Sequence, residues 1–117
     1  MDGFVAVGRT GELRDGAMIR AVVAGREVLV ARAGGKYLCA DNRRPHLGGD
    51  LSRGTLEGTV VTCPDHLSQF DLADGRVVRW TSLSGMVARM DRRAHPPKPL
   101  AVYEVRVEGG LVLAWLP

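Results

Sequence analysis

The sequence predicts an all-β fold, a small sandwich or barrel. Three observations carry the prediction. Short runs rich in Val and Leu recur along most of the chain. Turn signals containing Gly separate them, as between the strands of hairpins. Apolar residues recur at helical spacing over one stretch only, from Ser82 to Arg93.

In chain order, Phe4 to Val7 reads as an opening strand. Met18 to Val23 and Glu27 to Arg32 are β-rich runs joined by Ala24-Gly25-Arg26, a hairpin turn. Gly34-Gly35 makes the next turn, and Lys36 to Ala40 leads into the loop Asp41-Asn42-Arg43-Arg44. Thr59 to Thr62 delivers Cys63. Gln69 to Leu72 and Arg76 to Arg79 flank Asp74-Gly75, a two-residue hairpin signal. Ala101 to Val107 and Leu111 to Trp115 flank Glu108-Gly109-Gly110. The total is roughly eight or nine short strands. Leu83, Met86, Val87 and Met90 predict a short helix within Ser82 to Arg93, stopped by Pro96-Pro97, whose rings cannot continue a helix.

The 117 residues suit a single domain spanning 1–117. No apolar run approaches the roughly 20 residues that span a bilayer, and the start Met1-Asp2-Gly3-Phe4 lacks a basic-then-apolar leader pattern, so a cytoplasmic protein without a membrane role is expected. The net charge of +3 is small and the Arg residues are scattered. The densest basic cluster, Arg89, Arg92, Arg93, His95 and Lys98, has no interleaved aromatic residues for stacking bases, and nucleic acid is not an expected partner. Two cysteines, Cys39 and Cys63, do not make a disulfide framework.

The chemistry is concentrated in two segments, Arg44-Pro45-His46-Leu47-Gly48-Gly49-Asp50-Leu51 and Cys63-Pro64-Asp65-His66. With Cys in place of Arg44 they would form a Cys-x-His and a Cys-x-x-His pair. Such a set puts two thiolates on one iron and two imidazoles on the other, the ligation of a Rieske [2Fe–2S] centre. Between them Pro and Gly set tight turns.

From about Leu13 to Leu116 the chain resembles the Rieske ferredoxin family. The resemblance rests on Glu12-Leu13-Arg14-Asp15-Gly16, on the two loop segments, on Phe70-Asp71-Leu72 with Gly75, and on Pro99-Leu100 followed by Tyr103-x-Val105-x-Val107-Glu108-Gly109-Gly110. It implies a Rieske-type (ISP-like) small β-sandwich or barrel with two cluster-binding loops, here with one short inserted helix. It also implies that His46 and His66 match the imidazole ligands and Cys63 one thiolate. Ser68 then matches a position whose hydroxyl bonds to the cluster in high-potential members, and Phe70 stands where those members carry Tyr.

Arg44 stands where the second thiolate is expected. A guanidinium is a cation with donors and no acceptor, whereas iron favours a soft anionic thiolate. Three states follow: no metal at all; a [2Fe–2S] centre completed by Cys39, water or a partner; or one Zn or Fe ion held by His46, Cys63 and His66. Cys39 also reads as a small buried hydrophobe within a strand.

The resemblance implies a ferredoxin-like protein with an incomplete [2Fe–2S] ligand set, acting as an accessory or partner component of a redox or oxygenase system rather than as a stand-alone enzyme. Its partner would be a reductase or oxygenase met through the loop tip, where Leu47, Leu51 and Leu67 are expected to be exposed. The alternatives are a working electron-transfer ferredoxin with a non-standard ligand, and an enzyme, mononuclear-metal or cofactor-free, that reuses the loop pocket.

Overall fold

The computed structural model describes residues 3–42, 50–64, 68–79 and 99–116. Among them are eleven strands: β1 (Phe4–Arg9), β2 (Met18–Val23), β3 (Arg26–Ala33), β4 (Lys36–Asp41), β5 (Thr55–Glu57), β6 (Val60–Thr62), β7 (Gln69–Asp71), β8 (Val77–Arg79), β9 (Val102–Tyr103), β10 (Val105–Glu108) and β11 (Leu111–Trp115). They form three antiparallel sheets, ordered β1-β11-β10, β2-β3-β4-β9 and β5-β6-β7-β8. The all-β expectation is met. The helix expected within Ser82 to Arg93 lies outside the described residues.

β3 explains the layering. It is paired on both edges, by β2 and β4, and Val28, Leu29, Val30 and Ala31 are all buried. Side chains alternate across a strand, so this run feeds two cores at once. Leu29 and Ala31 pack with Leu51, Val61, Phe70, Leu72 and Leu100. Val28 and Val30 pack with Val7, Leu13, Val112 and Ala114. An uninterrupted apolar run is the signature of a strand covered on both faces.

The β2–β3 turn is the two residues Ala24-Gly25, with φ of 51° and 78°, and the β10–β11 turn is Gly109-Gly110, with φ of 56° and 80°. Positive φ at both central positions is what a twist-matched two-residue hairpin needs. Two sequence expectations are corrected, and one strand was missed. Asp74-Gly75 does not close a two-residue hairpin, because β7 ends at Asp71 and β8 begins at Val77. The run Ala101 to Val107 is divided between two sheets at Glu104, with β9 on β4 and β10 on β11. β5 was not expected, since Leu56 alone gives this three-residue strand its inward side chain.

Leu51 is also corrected. It is fully buried against the β5–β8 layer, so it belongs to the core and not to an exposed loop tip. Leu47 and Leu67 lie outside the described residues. No helix among the described residues is long and apolar enough to cross a membrane.

Candidate cluster-loop site

Two places in the fold carry the loops. β4 ends at Asp41 and hands the chain to Asn42, after which the first loop runs to Asp50. β6 ends at Thr62 and hands the chain to Cys63. The Cys63 amide donates to the Ser68 carbonyl at 2.8 Å, closing the mouth of the second loop before β7 begins. β4 and β6 belong to different sheets that share one core.

The mouth of the first loop is closed more elaborately. Asn42 is fully buried. Its Nδ2 donates to Glu27 Oε2 at 2.7 Å and to Asp50 Oδ1 at 2.8 Å, and its Oδ1 accepts from the Ser52 amide at 2.8 Å. The Leu51 amide donates to the Asn42 carbonyl at 2.8 Å. Asp50 caps the 3₁₀ turn Leu51–Arg53 through the Ser52 amide and also accepts from the Ser52 hydroxyl at 2.7 Å. Burial pushes the Asp50 carboxyl up, but the Ser52 and Asn42 hydrogen bonds outweigh it and hold it below the usual range. Beside this network, Tyr103 of β9 donates to Asp41 and accepts from Arg26.

Of the residues expected to hold a cluster or a metal, Cys63 is described. It is fully buried beside Phe70 and Leu72 at the head of the second loop. His46, His66 and Arg44 lie outside the described residues. Ser68 is fully buried and supplies the carbonyl that closes the turn. Among the described residues Phe70 is the largest fully buried side chain, and it sits opposite Val61 in the β6–β7 ladder, so a ring without a hydroxyl suits its surroundings.

The two cysteines face opposite ways. Cys63 belongs to the core shared with β5–β8, and Cys39 to the core shared with β1 and β11. Cys39 is held in register between Val30 and Tyr103 of the neighbouring strands. Burial, followed by the nearby Asp41 charge, pushes its thiol up to about 12. Its register in the sheet turns it away from the core that holds Cys63. The described arrangement therefore presents one cysteine to the loops.

The fold is that of a known kind of domain. A family model of the Rieske [2Fe-2S] domain matches residues 3–104. The chain belongs to that family. Rieske domains ordinarily hold a [2Fe–2S] cluster between their two loops.

Among relatives of this Rieske chain, the ferredoxin component of the naphthalene 1,2-dioxygenase system of Pseudomonas aeruginosa is 31% identical over 67 residues, which is 57% of this chain and 64% of that protein. The chain thus spans less than two thirds of that relative's length. In a complex of reduced oxygenase and oxidized ferredoxin in carbazole 1,9a-dioxygenase, a chain superposes with a TM-score of 0.77 at 24% identity, covering 98% of this chain and 94% of that one. The terminal oxygenase of carbazole 1,9a-dioxygenase from Nocardioides aromaticivorans IC177 gives 0.83 at 24% identity, over 99% of this chain and 30% of the oxygenase. These structural likenesses show the Rieske fold.

Sequence reasoning missed Asn42, Glu27 and Tyr103 as organisers of the loops. Asn42 was legible as part of a turn, but its partner Glu27 lies 15 residues away and Tyr103 lies 62 residues from Asp41. Such pairings depend on sheet register, which a local pattern does not fix.

Proposed function

We propose that this Rieske-family chain, a single cytoplasmic domain, is a ferredoxin-like accessory component of a redox or oxygenase system, built on an incomplete cluster ligand set. In this reading His46, Cys63 and His66 are the remaining ligand positions, and Arg44 replaces the second thiolate. The observation that carries it is the pairing of Arg44 in sequence with the placement of Cys39 in the opposite core. Two thiolates and two imidazoles hold a Rieske cluster. Here one thiolate position carries a cation, and the other cysteine of the chain is turned away. The donor set does not fit a standard cluster, and no electron-transfer step is assigned to one.

The role that remains is docking. The likeness to the naphthalene system's ferredoxin and to the carbazole ferredoxin–oxygenase complex supports a reductase or an oxygenase as partner, met through the loop end of the domain. Ser68 and Phe70 then serve the loop mouth and the core.

The test is iron, sulfide and zinc content with the visible spectrum, on protein purified without air, for the native chain and for Arg44→Cys. The native chain is expected to lack stoichiometric iron and sulfide, and Arg44→Cys to gain both with a Rieske-type spectrum. Two irons and two sulfides per native chain would overturn the reading and restore an electron carrier. One Zn or Fe per chain without sulfide would point to a mononuclear site at His46, Cys63 and His66.

A further inference from the structure

In a standard Rieske domain, bonds to the metal help hold both loops. A loop that must present a surface without them needs another brace. The Asn42 network has the form of one. Asn42 immediately precedes segment 43–49, and Asp50 immediately follows it. One buried carboxamide contacts Asp50, the Ser52 amide and Glu27 of β3, at 2.8, 2.8 and 2.7 Å. The backbone adds the bond from the Leu51 amide to the Asn42 carbonyl.

We propose that Asn42 is a positioning residue, whose carboxamide ties the two ends of segment 43–49 to each other and to the central sheet, fixing the frame of the first loop without metal. The chemistry is specific to an amide. Both Nδ2 hydrogens go to carboxylates and Oδ1 accepts an N–H, a pattern that neither Asp nor Leu can reproduce at neutral pH. Glu27 is in turn engaged by Arg20 Nη2 at 3.1 Å, so the brace reaches the surface through an ion pair on β2. The inference rests on these hydrogen bonds, and only its bearing on docking rests on the proposed function.

The test is hydrogen–deuterium exchange of the full native chain against Asn42→Ala and Asn42→Asp, read by mass spectrometry. Asn42→Ala is expected to speed exchange at the Leu51 and Ser52 amides about tenfold, the scale for losing such bonds, while β2 and β3 stay as protected as in the native chain. Asn42→Asp keeps the shape but places a third carboxylate beside Glu27 and Asp50, with Arg20 the facing cation. It should show the same loosening at pH 7 and recover protection near pH 4, roughly where a carboxyl in the trio takes up a proton and donates again.

Unchanged exchange at the Leu51 and Ser52 amides in Asn42→Ala would overturn the inference. So would equal loosening of β2 and β3, which would make Asn42 an ordinary core residue. If Asn42→Ala does not fold, Asn42→Asp decides alone. Protection that depends on pH supports the brace, and native-like protection at pH 7 rejects it. No outcome depends on iron, so the metal reading and this one fail separately.

Discussion

The Tyr103 hydroxyl donates a 2.6 Å hydrogen bond to Asp41 Oδ1, across 62 residues of sequence. Tyr103 lies in β9 and Asp41 is the last residue of β4, at the threshold of the first loop. Arg26 completes the arrangement. Its Nη2 donates to the same hydroxyl at 2.9 Å, and its guanidinium lies 5.3 Å from the Tyr103 ring centroid. The closing strand of the middle sheet is thereby bonded to the root of the loop.

Tyr103→Phe removes both bonds while keeping the ring. The expected loss is about 1–2 kcal/mol at neutral pH, read as a shift in the urea midpoint. Burial, then the hydrogen bond and charge of Asp41, push the Tyr103 hydroxyl up to about 12. A raised value favours the protonated form in the folded state. The contribution is therefore complete below the unfolded value near pH 10 and is lost as pH rises through about 12. Tyr103→Phe should lack this share of the alkaline decline. An unchanged slope of stability between pH 10 and 12 would count against the assignment.

Two glycines hold the loop-bearing layer by absence of a side chain. A Cβ on Gly54 would fall far inside contact distance of the Thr62 carbonyl oxygen, although its φ of −84° is open to any residue. A Cβ on Gly75 would do the same to the Leu100 carbonyl oxygen, and its φ is +81°. Both contacts are with backbone and cannot be relieved by a rotamer change. Gly54→Ala is expected to cost about 2–4 kcal/mol, and Gly75→Ala more, because left-handed strain adds to the clash. Denaturant midpoints check the order. If Gly75→Ala proved the milder, backbone conformation would not be the distinguishing term.

Much of the architecture was legible because it is local. β2 and β11 run over the residues that their β-rich runs mark, and Val28 to Ala31 lies in a run read as a strand, whose cover on both faces the structure adds. What was not legible depends on partners distant in sequence. Nothing in Ala101 to Val107 marks Glu104 as the point where the chain changes sheets; the choice is made by β4 on one side and β11 on the other. Leu51 looked like a loop residue because it follows Gly48-Gly49-Asp50. The 3₁₀ turn capped by Asp50 directs it into the core. In the candidate site, Cys63 was legible as part of a motif, and the structure places it at the head of the second loop. The hydrogen bonds around Asn42 and Tyr103 were not, since their residue types are ordinary turn and strand residues.

Asp71 predicts the acid limb. The Ala73 amide and the Thr59 hydroxyl both donate to its Oδ1, at 2.9 and 2.8 Å, and Arg76 lies 3.3 Å from Oδ2. The amide bond first, then the hydroxyl, hold the carboxyl below its ordinary value against an opposing effect of burial. A depressed value gives stability that is present above about pH 4 and lost as pH falls through the folded value. Asp50 acts in the same direction. Asp71→Asn should lower stability by about 1 kcal/mol at pH 7, and the gap from the native chain should narrow at pH 3. Guanidinium midpoints at pH 7, 5 and 3 measure it. A gap that stayed constant would mean that the side chain acts through shape and not charge.

Cys39 decides whether the chain carries a replacement ligand of its own. It is 2% exposed, in register with Val30 and Tyr103, and its thiol is pushed up to about 12. Reactivity requires an accessible thiolate, so Cys39 should resist an aromatic disulfide reagent in the native protein at pH 8. It should react only at the rate of unfolding, located by peptide mapping. Cys39→Ala should cost about 1–2 kcal/mol as a small core truncation. In the Arg44→Cys background it should leave iron and sulfide content as they were. Fast modification of native Cys39, or loss of iron on its removal, would show that β4 gives up its register to supply a thiolate. The separation of the two cysteines between opposite cores would then not describe the metal-binding state.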